Sequence, residues 1–365
     1  MAMIEMGSLK EVLGNVFPRA RPRELGLFSR QLALTLASGV SVIDALELSG
    51  SENKNRAFGN EIIEVKNLVK RGNSLSASME KYPKSFPEFM IQMVRSGEIS
   101  GCMDRVLDSV GEYYENQAEL KSKIINALFY PLLVMAVAFG VVIYLITGVL
   151  PVFAKIYESI EAEMPLATKV LMAISEVLQY LWPLLFLIVT VSLLAFMAAG
   201  QTEKGKLFKS RFLLKLPFFG TFIVHTNAIR FAEALSVLVE SGVDMLTGLE
   251  TISAIMDNEV IKEKLQDVKL SVKRGGGLSE SLAKAEVFDQ RFYQMIRVGE
   301  SSGTLDHVLK KIAFYYNDEV VRRLKRLTML LEPAVLLFVG GLVFFIVAAV
   351  MEPVFGIYAG YSELF

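Results

Sequence analysis

The stretch FSRQLALTLASGVSVIDALE at residues 28–47 returns as FAEALSVLVESGVDMLTGLE at residues 231–250. The offset is 203 positions, and the identical residues in the first copy are Phe28, Leu32, Ser38, Gly39, Val40, Leu46 and Glu47. The same offset pairs residues 71–78 with 274–281. After one residue is lost near Pro83, an offset of 202 continues the match to Pro151 and Pro353. A match that keeps its register over this length indicates a duplicated structural unit.

Composition and three uncharged runs predict a membrane protein. Hydrophobic residues make up 53% of the 365 residues and charged residues 21%, with a mean hydropathy of +0.43. The uncharged runs hold 31 residues after Lys123, 26 after Glu176 and 19 after Glu332. About 20 apolar residues cross a bilayer core, so we expect three spans. The net charge of −1 argues against a phosphate-neutralising surface for nucleic acid.

Basic residues beside the spans predict the orientation of the chain. Eleven Lys and Arg residues flank the spans on one side and two on the other, and basic flanks stay in the cytoplasm. We therefore expect the N-terminus and both lobes inside and the C-terminus outside. The predicted division is an N-terminal segment (1–27), a cytoplasmic helical repeat (28–123), a first span (124–154), an extracytoplasmic loop (155–176), a second span (177–202), a second cytoplasmic helical repeat (203–331), a third span (332–352) and an extracytoplasmic tail (353–365).

The repeat explains the odd number of spans. Each copy is a lobe followed by an outward span, and the second span, residues 177–202, has no counterpart in the repeat. It returns the chain to the cytoplasm so that the second copy can repeat the first. Parallel repeats of this kind predict a pseudo-two-fold axis along the membrane normal.

Each lobe is predicted to be a bundle of about six short helices, so the fold class is an all-α membrane protein with three transmembrane helices. Ser41 followed by Asp44 is typical of a capping box, and Gly39 and Gly72 are typical of helix stops. No alternating apolar run bounded by turns predicts a strand. The predicted helices of the first lobe cover Leu27–Ala37, a segment from Ser41, Lys54–Lys70, Leu75–Lys81, Pro87–Ser96 and a segment from Cys102 onward.

Four carboxylates at helical spacing form a candidate cation site: Asp104, Asp108, Glu112 and Glu115. The alternatives are a solvated acidic stripe or one paired with arginines of the lobe. In the second copy Lys310 replaces Asp108 and Asn317 replaces Glu115, so the stripe is not repeated. The segment Gly275–Gly277 lacks the spacing of a phosphate-binding loop and is predicted to contain a helix stop. We therefore expect no cofactor and no metal.

A Gly-Glu-x-Ser-Gly element occurs at residues 97–101 and again at 299–303. The first glycine of each is predicted to end a helix in a left-handed cap. Asp104 or Asp306 should then lie in the first turn of the next helix, where its charge opposes the macrodipole. Neither role requires Glu98 or Glu300, whose carboxylates are expected to bind arginine at a lobe or subunit contact. Structural support is the favoured interpretation of the element, and a moving contact is the alternative.

The residues inside the spans favour packing over chemistry. No ionisable residue lies at mid-membrane, which argues against a transporter. No nucleophile and base stand at usable spacing, which argues against an enzyme. His225 and His307 are predicted to have ordinary surface roles. Small residues and prolines predict where the spans pack closely or bend, at Pro131, Ala136, Gly140 and Gly148 in the first span and Pro333, Gly341 and Ala349 in the third.

Together these features resemble the type II secretion system F family, the inner-membrane platform proteins of type IV pilus and type II secretion machines. The resemblance implies a bacterial inner-membrane protein that is not an enzyme and forms a homo-oligomer. Its implied partners are a cytoplasmic hexameric assembly ATPase, pilin or pseudopilin subunits, other inner-membrane components of the machine and membrane lipids, with no nucleic acid. The residues that carry the resemblance are 28–32, 38–40 and 45–47, both Gly-Glu-x-Ser-Gly elements, the tyrosine pairs 113–114 and 315–316, and the proline that opens each outward span.

Assembly or interaction contacts are expected at matching positions of the two copies: Arg30, Gln31, Gly39, Gly97, Glu98, Gly101, Asp104, Gly242, Gly299, Glu300, Gly303 and Asp306. Arg30 becomes Glu233 and Gln31 becomes Ala234 in the second copy, so the two lobes should have different partners. The functional hypothesis is that the protein couples the ATPase to insertion and extraction of pilin or pseudopilin. The alternatives are a membrane scaffold or receptor subunit unrelated to pili and, as the weaker one, a secondary transporter.

Overall fold

The computed structural model describes residues 20–144, 203–216 and 219–362, with the single positions or pairs 148, 151–152, 155 and 187. Regular structure in these residues is helical throughout, which confirms the predicted all-α class. The chain divides into two units. The first is built from residues before Lys123 and from 210–320, and the second from residues 123–209 and 321–365. Most of the predicted loop 155–176 and return span 177–202 lies outside the described residues.

The helices of the two copies follow the same order. In the first copy they are α1 (Pro22–Ala37), α2 (Val42–Ser51), α3 (Arg56–Lys70), α4 (Leu75–Met79), α5 (Glu88–Ser100) and α6 (Met103–Tyr144). A helix α7 (Glu203–Lys215) then precedes the second copy. The second copy comprises α8 (Phe219–Glu240), α9 (Met245–Ile255), α10 (Glu259–Lys273), α11 (Leu278–Lys284), α12 (Gln290–Ser302) and α13 (Leu305–Ser362).

The helix starts keep the register of the sequence repeat. The matching helices start 203 residues apart in three pairs, α2 with α9, α3 with α10 and α4 with α11. They start 202 residues apart in two pairs, α5 with α12 and α6 with α13. Helix α1 begins at Pro22 rather than at the predicted Leu27, because proline fixes φ for the first helical turn and the Arg21 backbone N–H is bonded by the Glu24 carboxylate at 2.7 Å. Helix α13 continues past residue 352, the predicted end of the third span, to Ser362.

Local capping signals explain where the helices begin and end. Ser41 Oγ accepts the backbone N–H of Asp44 at 3.2 Å, which confirms the predicted start of α2. The predicted stops Gly39 and Gly72 adopt positive φ, and so do their counterparts in the second copy. The φ values within each pair agree closely: +83° and +71° at Gly39 and Gly242, and +92° and +89° at Gly72 and Gly275.

Each lobe has an aromatic core, and two of its three rings occupy matching positions, Phe28 with Phe231 and Phe86 with Phe288. In lobe 1, the rings of Phe28, Phe58 and Phe86 lie 5.6–6.0 Å apart. In lobe 2, Phe231 replaces Phe28 and packs at 5.4–5.7 Å on two further rings, Phe288 and Phe292. The aliphatic positions are also shared, since the side chains of both copies are fully buried: Leu32, Leu46 and Ile62, and their counterparts Leu235, Leu249 and Leu265. The repeated sequence therefore encodes a repeated core.

The helix crossing inside each lobe is closer in lobe 1. Helices α2 and α3 meet at Gly50 and Gly59, where a Cβ on Gly59 would lie 2.6 Å from the Gly50 carbonyl oxygen. The corresponding crossing in lobe 2 holds Ser253, whose Oγ donates to the backbone carbonyl of Lys262 at 3.3 Å. Lobe 1 therefore depends on glycine at this crossing, whereas lobe 2 accommodates side chains.

The long helices carry the apolar surface. The most apolar 18-residue window of α6 has a mean hydropathy of 2.2 and is 6% buried, so α6 is long and apolar enough to cross a membrane. Helix α8 is also long and apolar enough to cross a membrane, but 61% of its most apolar window is buried inside the protein, as expected for a core helix of lobe 2. Both α6 and α13 run without interruption through Pro131 and Pro333.

Within the second unit, α6 and α13 meet near Pro131. Thr328 Oγ donates to the Ala127 carbonyl at 3.4 Å, and a small cavity beside it is lined by Tyr130, Pro131, Val134, Thr328, Leu331 and Val335. Among the described residues, no atom lies within 4 Å of a Cβ built on Gly140 or Gly341, and a Cβ on Gly148 would lie 3.4 Å from the Tyr144 ring. Because almost all of the return span lies outside the described residues, the close packing expected at these glycines stays a prediction.

The two alanines of the spans leave the prediction equally open. Ala136 is exposed, and the side chain of Ala349 lies outside the described residues. A pattern of small residues marks a smooth helix face but does not specify which helix covers it.

Candidate functional site

The Gly-Glu-x-Ser-Gly element of lobe 1 joins α5 to α6. Helix α5 runs through Gly97 and ends at Ser100, and the left-handed residue is Gly101, with φ +70°. The prediction that the first glycine ends the helix is therefore wrong. Gly97 is required for a different reason, because a Cβ there would lie 3.2 Å from Met103 Cα and 3.3 Å from Val106 Cβ. The glycine lets α5 lie directly against the first turn of α6.

Lobe 2 repeats this joint between α12 and α13. Helix α12 continues through Gly299 to Ser302, and Gly303 takes the left-handed conformation with φ +69°. A Cβ on Gly299 would lie 3.2 Å from Leu305 Cα. Asp306 lies in the first turn of α13, as Asp104 does in α6, and both placements confirm the prediction.

Glu98 caps a helix rather than binding an arginine. Its carboxylate accepts the backbone N–H of Leu75 and of Ser76, the latter at 3.4 Å, and also the Ser76 hydroxyl at 2.5 Å. Within the chain, the partner of Glu98 is therefore the start of α4 and not an arginine, and an arginine across a subunit contact stays a prediction. A carboxylate satisfies the unpaired N–H groups of a helix start and opposes its positive dipole end, so α4 itself supplies the partner.

Glu300 makes the same contact in lobe 2. It accepts the backbone N–H of Leu278 at 2.5 Å and of Ser279 at 2.9 Å. In both lobes one glutamate thus caps the preceding short helix, and the neighbouring glycine allows the first turn of the following long helix to pack closely against it. The duplicated element is a structural joint of three helices.

The acidic stripe of α6 is paired with an arginine. Arg30 Nη1 donates to Asp108, and Arg30 Nε donates to Glu115 at 3.2 Å, which confirms the arginine alternative for these two carboxylates. The hydrogen bond that Arg30 donates to Asp108 raises the pKa of Arg30. Among the described residues, no three His, Cys, Asp or Glu side chains converge on a possible metal position, so Asp104 and Glu112 do not complete a cation site.

Lobe 2 carries different charges at the corresponding positions. Lys310, the counterpart of Asp108, pairs with Glu240 at 2.8 Å. Glu233 replaces Arg30 and reaches across to lobe 1, accepting Gln117 Nε2 at 2.7 Å. Gln31 lies on α1 with its backbone carbonyl accepting the Thr35 hydroxyl at 2.7 Å, whereas its counterpart Ala234 is fully buried.

The two lobes are held together by a contact that the sequence analysis did not predict. Besides the bond from Gln117 to Glu233, Ser96 Oγ donates to the Ser241 carbonyl at 3.5 Å, and α5 packs against α9. A cavity of about 860 Å³ lies beside this contact, with Arg30, Leu34, Arg105 and Asp108 on the lobe 1 side and Glu240 and Gly242 on the lobe 2 side.

The contact is one-sided. A two-fold relation would pair the counterparts of each contacting residue, Arg30 with Glu319 and Ser38 with Val298. Arg30 instead pairs with carboxylates of its own lobe, and Val298 is 60% exposed. The predicted pseudo-two-fold axis is therefore wrong for this contact. Two sequences that match along their whole length do not determine which of their faces meet.

Burial at this contact changes the titration of Glu233. Desolvation raises its pKa to about 7, and the carboxylates of Glu112 and Glu119 act in the same direction. The Gln117 amide and the Arg230 guanidinium oppose the shift without cancelling it. Glu233 thus carries a proton in the lobe contact at a pH where an exposed glutamate is ionised.

We expect the lobe contact to tighten as pH falls from 8 to 5. The folded pKa of Glu233 lies above its unfolded value of 4.5, so its contribution is fully present below that value and is lost as pH rises through about 7. Between pH 8 and pH 5 the free energy of the lobe contact should change by about 1–2 kcal/mol, since one pKa unit corresponds to about 1.4 kcal/mol and solvent screening reduces the effect. Hydrogen exchange of α8 in the full-length protein measures it. Glu233→Gln should abolish the pH dependence, and an unchanged pH profile in that variant would contradict the assignment.

The two histidines differ in their surroundings. His307 is exposed, as predicted, but His225 is 5% exposed, so a surface role is wrong for it. Its ring lies 5.0 Å from that of Tyr316, and its Nε2 lies 3.8 Å from Asp289, which accepts the Tyr316 hydroxyl. A single histidine carries no periodic signal, so its burial follows from the packing of α8 on α13 and could not be read from the sequence.

Comparison with known proteins places both copies in one family. The chain matches the family "Type II secretion system (T2SS), protein F" at residues 28–151 and again at 231–353. It is 34% identical to the type IV pilus assembly protein PilC of Thermus thermophilus, with 92% of this chain and 82% of the relative covered. Identity is also 34% to PilC of Pseudomonas aeruginosa, with 92% and 90% covered, and 28% to type II secretion system protein F of the same species, with 91% and 82% covered.

The family matches begin at residues 28 and 231, which are the first pair of matching residues in the sequence repeat. They cover more than half of the chain, and the relatives are matched over most of their own length. The chain belongs to the type II secretion system protein F family.

Proposed function

We propose that this protein is the inner-membrane platform of a type IV pilus or type II secretion machine. In this role a cytoplasmic hexameric assembly ATPase displaces the lobes, and pilin or pseudopilin subunits are inserted or extracted beside the spans. The names of the relatives, type IV pilus assembly protein and type II secretion system protein, support a part in such a machine.

The observation that carries the proposal is the continuity of the two long helices. α6 and α13 each leave a lobe through a glutamate-fixed joint and continue without a break into an apolar segment. A helix transmits displacement along its axis because each turn is hydrogen-bonded to the next. A force on the joint of either lobe would therefore reach the spans, which suits a mechanical adaptor.

The proposed arrangement places both lobes in the cytoplasm, as the eleven flanking basic residues favour. The hydrogen bond between Gln117 and Glu233 supports this, because residues in direct contact must lie on the same side of a membrane. The joint carboxylates are engaged by backbone N–H groups, which fits a mechanical role better than a catalytic one.

Purification from the native host tests the proposal. The tagged full-length chain, solubilised in mild detergent, should retain a hexameric assembly ATPase and a pilin-like subunit identifiable by mass spectrometry. Deletion of the gene should abolish pili or secretion while pilin is still made, and the intact gene should restore them. Recovery of neither partner, with filament assembly and secretion intact in the deletion strain, would contradict the proposed function.

A further inference from the structure

Because the contact between the lobes is one-sided, each lobe has one face that is exposed although the matching face of the other lobe is buried in the contact. The internal contact uses α5 and α6 of lobe 1 against α8 and α9 of lobe 2. By the repeat, the corresponding faces are α12 and α13 of lobe 2 and α1 and α2 of lobe 1. We call these the donor face (Val298, Phe314 and Tyr315) and the acceptor face (Leu27, Leu34, Val40 and Leu48).

Exposure differs sharply between matching positions on the covered and uncovered faces. On α8 and α9, Val237 is 8% exposed and Thr251 is 4% exposed. Their counterparts on the acceptor face, Leu34 and Leu48, are 72% and 43% exposed. Leu34 and Leu48 thus stand in solvent at positions where the homologous lobe has the buried side chains of Val237 and Thr251.

The donor face shows the same difference. Tyr113 of α6 is 4% exposed beside Arg230 of lobe 2, whereas its counterpart Tyr315 is only half-buried. Phe314, the neighbour of Tyr315, is 76% exposed, and Val298 is 60% exposed. Exposed apolar patches of this kind mark protein contacts.

We propose that a second copy of this chain covers the acceptor face with its donor face, repeating between chains the contact that joins the lobes within one chain. The occupant follows from the chain itself, because the homologous face α8–α9 is already covered by the homologous helices α5 and α6. This inference concerns the chain's own assembly and does not depend on the ATPase or on pilin.

The polar pair of the internal contact is not reproduced in the repeated one. Within the chain, Gln117 meets Glu233. Their counterparts are Glu319 and Arg30, and Arg30 already pairs with Asp108 and Glu115 of its own lobe. The repeated contact therefore depends on the apolar residues of both faces, as in protein interfaces with a hydrophobic core. A contact between two different faces is heterologous, so copies add head to tail and form a ring or an extended row.

Cysteine crosslinking in native membranes tests the contact in a Cys102→Ser background. One tagged chain carries Ser38→Cys and a differently tagged chain carries Val298→Cys, the counterparts of Ser241 and Ser96. A short bifunctional maleimide should join the two kinds of chain to each other and neither kind to itself. A chain with both substitutions should give trimers and larger products. A symmetric contact between identical faces would instead join like chains and stop at dimers, which would overturn the proposal.

Matched controls make a negative result decisive. Ser96→Cys with Ser241→Cys should crosslink within one chain, because these residues touch there. Ser38→Cys with Leu270→Cys should give no product, since Leu270 is 50% exposed but lies on α10, which is not one of the two helices of the donor face. If the within-chain pair reacts fully and the Ser38 and Val298 pair does not, the proposal is wrong.

A surface substitution distinguishes a loss of binding at the acceptor face from a general loss of folding. Leu34→Glu should reduce the crosslinked product at least about tenfold, because a charge would enter an apolar interface, whereas Leu270→Glu should leave it unchanged. A photo-crosslinker at Leu34 should capture a second copy of the chain. Capture of a different protein in its place would assign the face to that partner and overturn the proposal.

Discussion

Replacing Glu98 or Glu300 by alanine should release the short helix that each one caps and destabilise its lobe by about 3 kcal/mol. Each carboxylate accepts two backbone N–H groups at the start of α4 or α11, and Glu98 also accepts the Ser76 hydroxyl. Hydrogen bonds to a charged group contribute about 1.5–3 kcal/mol each, and the unpaired N–H groups left behind add a desolvation cost. The loss in the double variant should be additive, because the two joints share no residue.

Hydrogen exchange of residues 75–79 and 278–284 in the full-length protein measures this effect. In Glu98→Ala, the first peptide should exchange about 100-fold faster, the equivalent of roughly 3 kcal/mol, while the second stays unchanged. Glu80→Ala is the matched control, because Glu80 lies at the end of α4 and pairs with the half-exposed Arg95, and such surface pairs contribute little. Equal exchange in Glu98→Ala and Glu80→Ala would contradict the capping role.

Gly59→Leu should disrupt lobe 1 at a cost of about 3 kcal/mol or more. The first carbon of any side chain at this position would lie 2.6 Å from the Gly50 carbonyl oxygen, which is backbone and cannot rotate away. Overpacking of a close helix contact costs about 1–3 kcal/mol, and the bulk of leucine adds to it. The crossing of α2 and α3 would have to open.

The repeat supplies the control for this prediction. Lys262 stands at the position of Gly59 in lobe 2, and its crossing already holds the Ser253 side chain. Lys262→Leu should therefore change stability by no more than about 0.5 kcal/mol. Limited proteolysis and thermal unfolding of both variants in detergent would compare the lobes. Equal stability of the two variants would contradict the account of the crossing.

The sequence was sufficient for the features that depend on local signals. Helix starts and stops follow from caps such as Ser41 and from glycines such as Gly39 and Gly72, which act on the residues beside them. The core positions follow from the 203-residue repeat, because matching apolar residues are buried in both lobes. These features need no knowledge of distant contacts.

The partners of the charged residues could not be derived in the same way. Glu98 lies 23 residues from Leu75, and its partner is a backbone N–H that has no signature in the residue types. Arg30 and Asp108 are 78 residues apart, so their pairing was one alternative among several. The sequence also misplaced the helix stop of each joint, because Gly97 and Gly299 serve close helix packing and leave the left-handed turn to Gly101 and Gly303.

The contact between the lobes was beyond sequence reasoning for a different reason. Both copies share the same pattern, so the pattern cannot indicate that α5 and α6 of one lobe meet α8 and α9 of the other while the corresponding faces remain uncovered. The differences lie in single substitutions such as Arg30 to Glu233, whose meaning depends on the neighbouring lobe.

Labelling from each side of the membrane tests most directly that the two lobes share one compartment. In a Cys102→Ser background, Glu64→Cys and Glu263→Cys place a thiol on an exposed position of each lobe. An impermeant maleimide should label both in inverted inner-membrane vesicles and neither in intact spheroplasts, whereas Ser159→Cys in the predicted loop should show the opposite pattern. Labelling of Glu64→Cys and Glu263→Cys from opposite faces would contradict the lobe contact and the platform built on it.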